Sequence, residues 1–182
     1  MKTESLGVVL AAGDVLRCHT MPCVNRQTVG AHTWRTMVLL HWLFHPHYPP
    51  PRLTYALMMH DVPEVHTGDM PGDVKAAHPE LADALGIIER RFEVTHGITC
   101  ETLYADEVEV LAFCDRADLT LYALGERDMG NTYMSYLAEK AYGMTSHRAD
   151  KLKEVRPTLP YLPRVAELMD MLDHRIGKAS HA

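Results

Sequence analysis

Six side chains able to hold a metal or carry a proton fall between residues 60 and 73, in HDVPEVHTGDMPGD: His60, Asp61, Glu64, His66, Asp69 and Asp73. Burying ionisable groups at this density is costly unless a cation or open water compensates them. Two further candidates lie elsewhere in apolar helical contexts. His32 stands near the start of the segment that carries Trp34, and Asp118 sits in VLAFCDRADLTLYAL. A carboxylate in so apolar a run rarely goes unpaired. Two imidazoles and two carboxylates, His32, His60, Asp61 and Asp118, suit Zn, Mn, Fe, Co or Mg with positions left for water. A His-Asp dipeptide alone decides nothing, because 12 histidines among 182 residues, with aspartates as frequent, give about one by chance. Taken singly, His60 reads equally as a core histidine bonded to a carbonyl. Asp118 reads equally as a helix-to-helix hydrogen bond or ion pair, with Arg116 or Arg127 as its partner. The weight rests on the ordered set.

Helices must position these groups, since no strand pattern of any length occurs. Segment 4–17 is a first helix, with Leu6, Val9, Leu10 and Gly13 on one face. A loop with little periodicity follows, and Thr28 caps a helix from Val29 to His45, whose apolar side carries Trp34, Val38, Leu39, Trp42 and Leu43. The prolines of PHYPPPR stop it. Leu53–Asp61 is a short apolar helix, 62–79 a loop rich in Pro, Gly and Asp, and Glu80–His96 helical again. Long helical periodicity covers 102–128, shorter pieces cover 132–143 and 147–155, and Leu159–Ile176 is last. The expectation is an all-α chain, one domain over 1–182, with seven or eight helices. Without a strand before a glycine-rich turn, a Rossmann or P-loop nucleotide site is excluded.

Composition narrows the class further. The hydrophobic fraction of 47% and charged fraction of 23% are those of an ordinary globular protein. A net charge of -6 offers no broad basic surface, so a nucleic acid polymer is not expected as partner. Cys18, Cys23, Cys100 and Cys114 form no C-x-x-C pair and read as reduced thiols of a cytoplasmic protein. No apolar run approaches the ~18 residues of a membrane span, so no membrane partner is expected.

The order His32, His60-Asp61, Asp118 resembles the metal signature of the HD-domain phosphohydrolases. The stretch H60-D61-V-P-E64-V-H-T-G68-D69-M-P71 is similar to their small 5'-deoxynucleotidase branch, where the dyad is followed by a Glu three residues on and then by G-D-x-P. Upstream, L16-R17-x-H19-T20 and R26-x-T-V29-x-x-H32-T-W match the same branch, including its phage-encoded members. The likeness spans roughly residues 7 to 125. Two departures stand out. The aromatic residue usual after the first-helix Arg is Cys18 here, and Pro63 separates Asp61 from Glu64.

The resemblance implies an all-α HD-type bundle and a divalent metal (Zn, Co, Mn or Mg) held by His32, His60, Asp61 and Asp118. It implies Glu64 as the group that orients water or gives a proton to the leaving group. Arg17, Arg26 and Lys75 are the expected phosphate contacts, with Arg35 in reserve. Asp69 is expected to accept from a deoxyribose 3'-hydroxyl. Cys18, His19 and Thr20 are expected to line the nucleoside pocket. The activity implied is hydrolysis of 2'-deoxynucleotides, with dATP to deoxyadenosine plus triphosphate as first choice and 5'-deoxynucleotidase action on dNMPs as second. The reading from another class is a non-catalytic metal-containing nucleotide-binding module. Aromatic and Met residues beyond position 129, among them Tyr133, Tyr136 and Met144, read as packing or subunit contacts, so a homo-oligomer is expected.

Overall fold

A computed structural model describes residues 1–177; the last five residues of the expected 1–182 domain lie outside the described residues. Among those residues the chain is all-α. Its helices are α1 (Leu6–Ala11), α2 (Val29–Phe44), α3 (Pro51–Met59), α4 (Glu64–Thr67), α5 (Gly72–Ala77), α6 (Pro79–His96), α7 (Ala105–Asp128), α8 (Met134–Val155) and α9 (Leu162–Gly177). With α4 a single turn, eight have six residues or more.

The central element is α7. Its Val110, Phe113, Cys114, Ala117, Ala123 and Leu124 are fully buried against α2, α8 and α9. Truncating a side chain like Phe113 in such a core costs about 3–5 kcal/mol. A smaller cluster, Ala12, Met59, Val62, Phe92 and Ile98, holds α6 and the N-terminal turns onto the end of α3. Helix α8 runs unbroken where two shorter pieces were expected. Its buried face, Leu137, Ala138, Ala141, Thr145, Ala149 and Leu152, keeps helical spacing through Gly143. The expected first helix is shorter than 4–17. It is framed by 3-10 turns at Thr3–Ser5 and Ala12–Asp14, and the chain turns extended at Val15. The expected loop 62–79 contains α4 and α5.

Helix α2 departs most from the hydrophobic pattern. Trp34 and Val38, expected inside, are 70% and 49% exposed, while the buried face is Val29, His32, Thr36, Leu40 and Leu43. His32 meets Asp118 of α7 there, and the Thr36 hydroxyl donates to the Thr33 carbonyl of its own helix at 2.9 Å. Three devices fix the start of α2. Thr28 caps it, its hydroxyl accepting from the Ala31 N–H at 3.2 Å, as expected. Leu16 and Thr28 form an antiparallel bridge, with Arg17 N–H to Gln27 C=O at 2.9 Å and Val29 N–H to Val15 C=O at 2.8 Å. Gly30 packs directly on Gly13, where a Cβ would stand 3.0 Å from the Gly13 carbonyl oxygen. Only glycine permits that approach. The segment carrying Arg17 and the turn carrying His32 are therefore locked together.

Candidate metal centre and substrate cleft

Four backbone segments converge at the front of α7. The first turn of α2 supplies His32, the end of α3 supplies His60 and Asp61, α4 begins with Glu64, and α7 presents Asp115 and Asp118. His32 Nε2 lies 3.4 Å from Asp61 Oδ2 and 3.3 Å from Asp115 Oδ1, and His60 Nε2 lies 3.2 Å from Asp61 Oδ1. The two rings are 5.5 Å apart at 58°. His32, His60 and Asp61 each offer a donor atom, all within 4.8 Å of one another.

Each imidazole is held from behind. His60 Nδ1 donates to the Leu57 carbonyl at 2.7 Å, and His32 Nδ1 donates to Asp118 Oδ2 at 2.7 Å. Those acceptors put the ring proton on Nδ1 and leave a lone pair on Nε2. Both Nε2 atoms are buried without a hydrogen-bond partner. Two aimed, unpartnered imidazole lone pairs beside two carboxylates are the donor set of a divalent transition metal.

One expected ligand is corrected by this geometry. Asp118 does not face the cluster. It is fully buried behind His32, its Oδ2 shared by His32 and Gln27 Nε2 (2.7 Å) and its Oδ1 bonded by Arg35. Its oxygens are engaged on the Nδ1 side of His32, away from the Nε2 atoms that face the cluster. The carboxylate facing the donors is Asp115, one helical turn earlier. Its Oδ1 faces His32 Nε2 at 3.3 Å, and its Oδ2 lies 3.7 Å from Arg116 Nε on the same helix.

Arg17 is buried between the acids, donating to Asp61 Oδ2 at 2.5 Å with Asp115 Oδ1 at 3.6 Å. Glu64 lies close by, its Oε2 buried and unpartnered. Burial, then the charges of Asp61 and Asp69, push its carboxyl up to about 8, so it keeps its proton at neutral pH. Pro63 does not carry Glu64 away. It forms the N-cap of α4 and returns the chain to helix at Glu64.

A cleft of about 250 Å³ opens onto these groups. Arg17, Cys18, Thr20, Glu64, Asp69 and Lys75 all line it, as expected of a common site. Asp69 has a structural partner: its Oδ2 accepts the Cys18 N–H at 2.8 Å and holds Cys18 at a φ of 52°, a left-handed conformation uncommon outside glycine. Burial and the Asp69 charge push the Cys18 thiol up to about 11, which makes it a packing group and not a nucleophile. Arg26, expected on phosphate, is exposed and does not line the cleft. It neighbours inward-facing Gln27 in the extended segment, where alternate side chains point opposite ways. Arg35, the reserve cation, is committed to Asp118. His66 lines a separate hollow beside Phe92.

The far wall of the cleft, Arg116 and Leu119 of α7 with Tyr136, Leu137, Lys140 and Met144 of α8, was not foreseen as substrate contact. Tyr136 and Met144 are cleft residues where packing or subunit contact was expected. The one sequence signal for Asp115 is its i, i+3 spacing from Asp118, which puts two acids on one face of an apolar helix.

The profile of the YfbR-like 5'-deoxynucleotidases matches residues 10–103. No curated protein matches the chain significantly. Among solved structures, the HD phosphohydrolase DatZ of cyanophage S-2L, seen with dA and one catalytic Zn²⁺, superposes with a TM-score of 0.64 at 22% identity over 98% of each chain. An HD-domain phosphohydrolase from Listeria innocua superposes with a TM-score of 0.61 at 17% identity, over 94% of this chain and 98% of its own. Both have the same helical fold. With the matched profile covering the Arg17 segment, His32, the His60-Asp61 dyad, Glu64 and Lys75, the chain belongs to the YfbR-like 5'-deoxynucleotidase family of HD-domain, metal-dependent phosphohydrolases.

Proposed function

We propose that this chain, acting as a single domain over 1–182, hydrolyses 2'-deoxynucleoside triphosphates at the α-phosphorus, with dATP as preferred substrate. The observation that carries the reading is the unpartnered Glu64 carboxyl lining one cleft with Asp61 and Asp115, the two acids that stand against His32 and His60. The dA and zinc in the DatZ structure support the choice of base and metal.

His32, His60, Asp61 and Asp115 would hold the ion. The chemistry such an ion would supply there is polarisation of a phosphoryl oxygen and a lowered pKa, from ~15.7 toward ~7, for a water bound to it. Arg17 and Lys75 bind the α-phosphate and orient it. Water oxygen adds to the α-phosphorus and the bond from phosphorus to O5' breaks. Glu64 gives its proton to O5' as the nucleoside leaves, and recovers one from the added water. The phosphates beyond the α-position meet Arg116 and Lys140, while Leu119, Leu137 and Met144 pack the nucleoside. Asp69 keeps its second oxygen for a sugar hydroxyl.

The family match favours a second reading, 5'-deoxynucleotidase action on dNMPs, which uses the same residues with fewer phosphates. Chromatography of products from dNTPs, dNMPs and ribonucleotides, with Zn, Co, Mn or Mg, separates them. Deoxyadenosine with intact triphosphate is the expected result. Orthophosphate from dNMPs alone establishes the second reading, and silence across the panel leaves a binding module. We also propose a homo-oligomer, supported by the exposed Met129 and Tyr133 where α7 meets α8; light scattering of the purified protein tests it.

A further inference from the structure

We infer that Asp118, braced by Gln27 and Arg35, is a positioning residue that fixes the His32 tautomer and thereby sets the metal affinity of the centre. The inference rests on the divalent-ion reading above.

The two imidazoles are anchored by unlike acceptors. His60 uses a neutral carbonyl three residues back in the chain, which local backbone geometry supplies unaided. His32 uses a carboxylate from another helix, 86 residues away in sequence. A buried anion is a costly choice where a carbonyl would serve, and the protein surrounds it with matched donors. Gln27 reaches in from the segment before α2 at 2.7 Å, and Arg35 comes from the next turn of α2. Asp118 is 0% exposed and every contact it makes holds either His32 or itself in place.

The arrangement has two consequences. The acceptor keeps the proton on His32 Nδ1, so Nε2 is always the free donor, and its charge makes that nitrogen a stronger ligand. Asp115 and Asp118 sit one turn apart on α7, so a single rigid helix presents one carboxylate to the front of the site and one to the back of His32. Arg35 balances the buried charge without entering the cleft.

The test is zinc retention. Purified zinc-loaded protein is challenged with a graded series of a chromophoric chelator, and zinc released is read optically, with circular dichroism recorded alongside. Asp118→Asn keeps shape but can present an amide N–H to His32 Nδ1, which drives the ring proton to Nε2 and removes the donor. The expected result is zinc loss at roughly 10- to 100-fold lower chelator concentration, with helicity unchanged. Arg35→Gln changes a side chain that is 42% exposed, so its fold survives if the Asp118 variant does not. A smaller loss in the same direction is expected. Arg52→Gln breaks another part-buried ion pair, with Glu107, outside the cleft, and should lower thermal stability with zinc retention unchanged. Wild-type retention in both Asp118→Asn and Arg35→Gln overturns the inference, as does a loss of retention in Arg52→Gln equal to theirs. If the wild type itself holds no Zn, Co or Mn, the divalent-ion reading fails and this inference with it.

Discussion

Replacing Glu64 by Gln isolates the proton that the mechanism needs. The side chain is half-buried with Oε2 unpartnered, and its carboxyl is pushed up to about 8. At pH 7 the wild-type group is neutral, so an amide of the same shape leaves the charge of the cleft unchanged. Metal retention should therefore stay at the wild-type level. The amide has no proton of suitable acidity, and kcat should fall by roughly 10²- to 10⁴-fold. The wild-type profile should show a matching alkaline limb. An acid of pKa 8 is about nine-tenths protonated at pH 7 and one-tenth at pH 9, so kcat drops about tenfold across that interval. In the variant the limb should vanish. Stability falls in the same direction over a lower window. The folded carboxyl holds its proton above the unfolded value of 4.5, so the wild type loses stability as pH rises from there toward 8, by at most about 1.4 kcal/mol per unit. The variant lacks that slope. Steady-state kinetics from about pH 6 to 10, with urea melts from about pH 4 to 9, measure both. A variant with kcat within tenfold of wild type, or one that keeps the alkaline limb, refutes Glu64 as the acid.

Four further outcomes follow from the geometry. Asp115→Asn should lose both zinc and turnover, read by metal analysis and product chromatography, whereas an active variant would return the fourth-ligand role to another group. Gly30→Ala forces a methyl to 3.0 Å from the Gly13 carbonyl oxygen and should destabilise the fold by about 1–3 kcal/mol in a denaturant melt. Lys140→Ala removes a cleft cation on the α8 wall and should raise KM for dATP about tenfold, with KM for dAMP nearly unchanged. Glu126 accepts the Val24 and Asn25 N–H groups and the Asn131 amide. Burial raises its carboxyl, but these donors outweigh burial and leave it lowered. Its stabilisation is present above the unfolded value and lost as pH falls through the lower folded one; Glu126→Gln should flatten that acid limb in thermal melts.

The helices were legible where one periodicity dominated. Helix α6 follows from its apolar spacing and α3 from a proline stop before it, and Thr28 was readable as a cap because its hydroxyl acts within one turn. The α2 face was misread because Trp34 and Val38 outweigh His32 and Thr36 in any hydrophobicity count. What buries His32 is a partner on α7, and local sequence carries no trace of it. The break expected near Gly143 failed for a related reason: a glycine weakens a helix by only about 1 kcal/mol, and a continuous buried face on α8 exceeds that.

The site shows the same limit more sharply. His32, the His60-Asp61 dyad and Glu64 were readable because their residue types and order are themselves the signal. Asp115 and Asp118 are the same residue type, one turn apart, in the same apolar run, so type and order are silent on which faces the metal. A helix turns about 100° per residue, so a spacing of three rotates the side chain by about 60° short of a full turn. That rotation separates the front of His32 from its back. The choice between them is made by Gln27, 91 residues from Asp118, and by Arg35 on a different helix. Each of them reads in isolation as an ordinary surface polar residue. Their function exists only once α2 and α7 are packed, with Gly30 against Gly13 setting how closely the start of α2 is held. A glycine pair on one side of the molecule thus bears on which aspartate of α7 is free to bind.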